Sequence, residues 1–252
     1  MTDTVRLVAL SAGLSTPSST RMLTDQLSRA AATAIGRDGA EGDARIEVDV
    51  TTVELREYAH DITDALLTRF PNERLSMVIE AVRAADAVIA VTPVFNVGPS
   101  GLFKMLFDAI DIEIWKNKPV LLGATAGTAR HSLAIDYAIR PMFGYLKAEV
   151  VPTVVFAASA DFGADTDGQA DEQPLAVRVR RAARELATML SAGIGASAGG
   201  AEAAAGAAQD AAARDAAGTA AEAADGAPAE PTSTLDAEFA DFVPMDRLLG
   251  RG

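Results

Sequence analysis

Five apolar runs recur over residues 1–191, at 5–10, 46–55, 87–94, 119–124 and 150–157, and a segment of helical period follows each. A strand that is apolar along most of its length has no face to show to water. Strands of this kind, alternating with amphipathic helices, predict a parallel sheet covered on both sides. The apolar helix faces are legible. Leu23, Leu27, Ala30, Ala31 and Ala34 form the first, and Leu75, Val78, Ile79, Val82 and Ala85 the second. Leu102, Leu106, Ala109 and Ile110 form a third, and Ile135, Ala138, Ile139, Met142 and Leu146 a fourth. Val177, Val179, Ala183, Leu186, Met189 and Leu190 form a fifth. Five such pairs predict one α/β domain over 1–191. Its sheet is doubly wound, parallel and five-stranded, in the order 2-1-3-4-5, with helices on both faces.

Beyond residue 191 the composition changes. Residues 192–234 are mostly Ala, Gly and acids, with hardly a large apolar side chain to offset the entropy of ordering, and they read as a flexible linker. Residues 235–252, with Leu235, Phe239, Phe242, Val243, Met245, Leu248 and Leu249, are apolar again and read as a docking segment. Ten acids face three Arg over 192–252, so the tail holds about half of the net charge of −13. That charge argues against a nucleic-acid surface. There is no Cys, which excludes disulfides, thiolate metal sites and Cys nucleophiles. The two His, His60 and His131, are too few for a His-rich metal cluster. With no signal pattern and no apolar run of membrane-spanning length, the expectation is a soluble cytoplasmic protein with no membrane partner.

In a sheet of this type ligands bind at the carboxyl ends of the strands, beside the first strand, where the order reverses. The segment "SAGLSTPSST" occupies that place. It puts Ser11, Ser15, Thr16, Ser18, Ser19 and Thr20 directly before a helix, where unpaired N–H groups and the helix dipole favour an anion. Neither a Walker loop nor the G-x-G-x-x-G dinucleotide fingerprint is present. Hydroxyls and N–H groups without a Lys suit the monophosphate of FMN. The alternative is that Ser18 or Ser19 merely caps the helix, for which one hydroxyl would suffice. Two further strand ends carry loops of ligand type. "TPVFNVGPSG" has Pro93 and Pro99 to stiffen it, Gly98 and Gly101 for close approach, and Ser100 to cap the next helix. "GATAGTARH" supplies Thr125, Gly127 and Thr128.

The segments "GLSTPSST", "TPVFNVGPSGLFKMLFDAID" and "KPVLLGATAGTARHSLAIDYAIRPMFGYLKAE" resemble the NADPH-dependent FMN reductases. Within that family they are most similar to the small reductases that supply reduced flavin to luciferase-like or alkanesulfonate-type monooxygenases. The resemblance covers about residues 5–190, and its third segment is the most distinctive. It implies a flavodoxin-like fold, bound FMN, hydride transfer from NADPH or NADH, a monooxygenase partner and a homodimer or homotetramer. Carried onto this chain, it places the phosphate at Ser11, Ser15, Ser18, Ser19 and Thr20. It places the isoalloxazine and ribityl chain along Pro93, Val94, Phe95 and Asn96, and the ring's polar edge at Thr125, Ala126, Gly127 and Thr128. Two positions depart from the pattern. Ser15 stands where many relatives have Arg, with Arg21 as a compensating cation, and Phe95 stands where they often have Tyr.

Such chemistry asks for no protein acid, base or metal, because the flavin accepts the hydride and the protein supplies position and electrostatics. Arg130 and His131 are the polar residues expected nearest the ring. His60 is expected in a loop after the second strand, Trp115 in the core or an interface, and Lys104 with Asp108 as a surface pair. Two other activities share the same features: a flavodoxin-like electron carrier, and an NAD(P)H quinone or azo-compound reductase.

Overall fold

The computed structural model describes residues 4–38, 46–162 and 174–193. The expected docking segment at 235–252, and all but the first two residues of the expected linker, lie outside the described residues.

The first strand, β1 (Thr4–Ser11), lies between two parallel neighbours, β2 (Glu47–Glu54) and β3 (Ala87–Phe95). Next to β3 lies β5 (Pro119–Ala126), again parallel. Helix α1 (Ser19–Asp38) follows β1, α2 (Ala59–Thr68) and α3 (Glu73–Ala84) follow β2, and α4 (Gly101–Ala109) follows β3. The fifth position is filled by two short pieces, β6 (Glu149–Val150) and β7 (Val155–Ala158), both pairing with β5. Read along the sheet, the parallel strands follow the expected order 2-1-3-4-5. The sheet has seven strands rather than five, because the last run is split and because β4 (Gly98–Pro99) adds an antiparallel bridge to β3.

The split has a chemical cause. Pro152 lies in the middle of the run and has no N–H to give to a ladder. The polar backbone around it is met by two side chains. Arg140 donates to the carbonyls of Val151 and Pro152, and Glu185 accepts from both the N–H and the hydroxyl of Thr153 at 2.7 Å. Burial opposes ionisation of Glu185, but these bonds, with the Arg181 guanidinium, hold its carboxyl below the usual range.

Side chains of each strand alternate between two cores. Val8 and Leu10 face α2, α3 and α4, whereas Leu7 and Ala9 face α1 and α6 (Leu175–Ser191). The first core is aromatic. Phe107 packs against Phe103 and Trp115 at 4.7 Å and edge-on to Phe143 at 4.9 Å, so Trp115 is a core residue. The second core is aliphatic and rich in Ala, which lets α1 and α6 lie close together. Lys118 is fully buried at the start of β5. Its ammonium donates to the carbonyls of Arg83 and Ala85 at the end of α3, and burial pulls its pKa down.

Two helical expectations are corrected. His60 is not in a loop: it is the second residue of α2, exposed, on a helix held by Ile62 and Ala65. The fourth helix is not continuous. A π-helical turn, Ile135–Ile139, leads into α5 (Arg140–Tyr145), with Pro141 at the junction. The proline ring would crowd the carbonyl four residues back in a regular helix, and the wider turn relieves that.

Candidate active site

The first wall of the site is the loop that joins β1 to α1. Gly13 is buried in it, and a Cβ there would lie 2.0 Å from Ser18 Oγ and 3.2 Å from Thr20 Cβ. The loop therefore folds back onto the start of α1 only because position 13 lacks a side chain. Ser18 is the helix cap: its Oγ accepts from the N–H of Arg21 at 3.2 Å. Helix geometry leaves the N–H groups of Ser19 and Thr20 without intrahelical partners. The Ser15 hydroxyl donates to the Pro17 carbonyl at 2.9 Å, and Ser15 and Ser19 are exposed.

The second wall is the end of β3. Phe95 and Gly98 pair across a two-residue turn, with Asn96 at φ 50° and Val97 at φ 66°. A two-residue hairpin turn with positive φ at both positions is usually built from Asn and Gly. A β-branched residue there is strained by about 1–3 kcal/mol, a cost characteristic of functional loops. Thr92 and Ser100 hold the hairpin closed: the Ser100 N–H donates to Thr92 Oγ1 at 3.0 Å, and Ser100 Oγ caps α4.

The third wall is the end of β5. Thr125 and Thr20 share a hydrogen bond of 2.7 Å between their buried hydroxyls, which ties this wall to the first. Between the walls lies a cleft of about 260 Å3. Ser15, Ser18, Ser19 and Thr20 line it from the first loop, Pro93, Val94 and Phe95 from the second, and Thr125, Ala126 and Gly127 from the third. So ten of the thirteen expected residues meet in one place. Ser11, Asn96 and Thr128 do not line the cleft. Ser11 is buried in β1 between Glu54 and Val91, Asn96 is at the hairpin tip, and Thr128 lies beyond the end of β5. Arg130 and His131, in the turn after it, are also outside the lining.

Leu14 and Ser159 line the cleft without having been expected. Ser159 follows β7, where Arg178 and Asp161 fix the chain, Asp161 accepting from the Ala158 N–H at 2.7 Å. The parallel pairing of β7 with β5 is what brings it there, and nothing local marks it. Also missed was a chain of charges under the first loop. Arg21 pairs with Asp25 at 2.8 Å and with Glu54 at 2.6 Å, and Glu54 pairs with Arg56 at 2.8 Å. Arg56 in turn donates to the Ser15 carbonyl at 3.1 Å and to the Thr16 hydroxyl. Arg21, the expected compensating cation, is thus engaged with two carboxylates. Among the described residues no group of acids and His is placed to hold a metal ion.

The family profile described as NADPH-dependent FMN reductase matches residues 5–163. The chain belongs to the NADPH-dependent FMN reductase family. Among its relatives, the NADH-dependent FMN reductase SfnF of Pseudomonas fluorescens is 33% identical over 189 residues, covering 75% of this chain and 94% of the relative. The FMN reductase (NADPH) of Pseudomonas aeruginosa is also 33% identical, with the same coverage. A solved oxidoreductase from Corynebacterium diphtheriae is 41% identical, with a TM-score of 0.67 over 75% of this chain and 97% of that one.

The residues of the cleft fit the flavin nucleotide that gives the family its name. The helix terminus with its free N–H groups and exposed hydroxyls suits a phosphate. The Pro93–Phe95 segment, with Phe95 49% exposed, offers an apolar surface to a ring system. At Gly127 a Cβ would meet nothing within 4 Å among the described residues. A second concavity is larger. A groove of about 830 Å3 runs between α1 and α6, lined by Arg29, Arg37, Arg180 and Arg184 among others. No strand residue is among its lining, and the start of α6 contributes only Ala176.

Proposed function

We propose that this chain is an NAD(P)H-dependent FMN reductase that holds flavin in the cleft at the carboxyl ends of β1, β3 and β5. The observation that carries the reading is the convergence of three strand-end loops on the N-terminus of α1. In this reading Ser15, Ser19 and the first N–H groups of α1 bind the phosphate. Pro93, Val94 and Phe95 support the ring, and Thr125, Ala126 and Gly127 meet its polar edge. Bound FMN supplies the hydride acceptor. The protein's part is to fix the phosphate, keep one ring face clear for a nicotinamide, and hold flavin loosely enough to exchange it. A loop with no cation of its own between Ala12 and Thr20 suits loose binding.

Exchange in turn suits a reductase that passes reduced flavin to a separate monooxygenase, as the resemblance implies. The exposed side chains of Leu133, Tyr137 and Tyr145 support a homo-oligomer that covers them. Absence of Cys supports a cytoplasmic setting, and no described helix is long and apolar enough to cross a membrane. The test is steady-state oxidation of NADPH and NADH with and without added FMN. A reductase shows a rate that rises with FMN and saturates. An electron carrier purifies with FMN, oxidises neither nucleotide appreciably and ignores added flavin, and that pattern would remove the reading.

A further inference from the structure

We propose that Arg56 sets the preference of this site for a phosphorylated flavin over the same flavin without its phosphate. The inference rests on the flavin reading of the cleft. Its own observation is the placement of one guanidinium. Arg56 follows β2, about forty positions from the loop in sequence, yet parallel pairing of Ser11 with Glu54 sets the two side by side. From there it donates to the Ser15 carbonyl at 3.1 Å and to the hydroxyl of Thr16. Ser15 lines the cleft and Arg56 does not. Arg56 is therefore a positioning residue: it holds the Ser15 carbonyl and the Thr16 hydroxyl and so fixes the loop that walls the cleft.

It also brings charge to a loop that has none. Glu54 divides its carboxylate between Arg56 at 2.8 Å and Arg21 at 2.6 Å, and Asp25 takes the rest of Arg21. Two guanidinium groups and two carboxylates balance, so the chain of ion pairs is neutral as it stands. Of the two cations of that chain it is Arg56 that bonds the loop at Ser15 and Thr16, while Arg21 is held by Asp25 and Glu54. Riboflavin has the same ring and ribityl chain and no anion, so only the phosphorylated ligand feels this field.

The experiment compares FMN and riboflavin affinities of the full-length protein by flavin fluorescence titration. With Arg56→Met the FMN affinity is expected to fall about tenfold, the order of one charge-assisted contact. Riboflavin affinity stays within about twofold, and Arg56→Lys recovers part of the loss. Glu54→Gln acts in the opposite direction: it removes the anion behind Arg56 and raises the FMN-to-riboflavin ratio. Equal loss for both flavins in Arg56→Met would show a merely structural role and overturn the proposal. So would an unchanged ratio in both Arg56→Met and Glu54→Gln. If the wild-type protein bound neither flavin, the reading of the cleft itself would fall, a result distinct from either of these.

Discussion

Two concavities among the described residues differ in size and in construction, and the two measures point in opposite directions. The groove between α1 and α6 holds about 830 Å3 and the cleft at the strand ends about 260 Å3. Ligand pockets commonly run from about 300 to 1,000 Å3, so volume alone would choose the groove. Its walls are mostly the sides of two helices, where backbone groups are paired within the helix, and of the start of α6 only Ala176 is in the lining. The cleft is walled by loops and by the first turn of α1, where N–H groups stand free by the geometry of the helix. Polar backbone that is available, convergent and held rigid is what a phosphate needs, and of the two it is the smaller site where three strand-end loops converge on a helix start.

The largest effect expected is at Gly13. A Cβ there would lie 2.0 Å from Ser18 Oγ, with Ser18 Cβ at 3.1 Å and Thr20 Cβ at 3.2 Å. Gly13→Ala must push Ser18 out of its cap and move the loop. The cap is worth about 1 kcal/mol of stability. The flavin site loses more, because its donors are displaced together: FMN affinity is expected to fall by about two orders of magnitude, or about 2.7 kcal/mol. Thermal melting and flavin titration on the same variant separate the two losses. A variant with wild-type FMN affinity would mean that the loop is not the phosphate site.

A smaller effect divides two neighbouring hydroxyls. Ser18 is occupied by the Arg21 N–H, while Ser19 is exposed and lines the cleft. Ser18→Ala should therefore cost about 1 kcal/mol of stability as a lost cap. Ser19→Ala should leave stability within about 0.5 kcal/mol and weaken FMN by about 1.5–3 kcal/mol, the range for a hydrogen bond to a charged group. Unfolding curves and FMN titration of the pair decide it. If Ser19→Ala changes neither, the hydroxyls serve the helix and not a ligand.

These assignments show what the sequence could and could not carry. Strands buried on both faces announce themselves, so β1, β3 and β5 were legible, and with them the loops at their ends. The cap at Ser18 was legible as one of two readings, and the structure keeps it while leaving Ser19 free. The break at Pro152 was visible as a residue, but the run around it is apolar on both sides and reads as one strand. Helix α2 escaped because its inward face has only Ile62 and Ala65 buried, too short a period to stand out. Ser11 looked like a member of the loop because hydroxyls cluster there. Its pairing with both Glu54 and Val91 makes it the last residue of a central strand instead. Arg56 and Ser159 were beyond reach for a different reason. Ser159 comes to the cleft, and Arg56 to the loop that walls it, through strand pairing, which joins segments that no local pattern relates.

The smallest effect expected is in the groove, and it tests the comparison from its other side. Arg29 and Arg37 lie ten and eighteen residues into α1 from Ser19. At a rise of about 1.5 Å per residue they are about 15 and 27 Å along the axis from the helix N-terminus. Both distances exceed the Debye length of about 8 Å at physiological ionic strength, so their charges are screened from a phosphate bound there. Arg29→Glu with Arg37→Glu should therefore leave FMN affinity within about twofold. Some stability should be lost, because Arg37 is the basic residue in the last turn of α1, where a cation is worth about 0.3–1 kcal/mol against the helix dipole. A melting curve reads that loss and a flavin titration at the same salt reads the affinity. Were FMN binding to fall more than the melting temperature accounts for, the groove would have to take part in flavin binding. The division between a large basic surface and a small polar site would then fail.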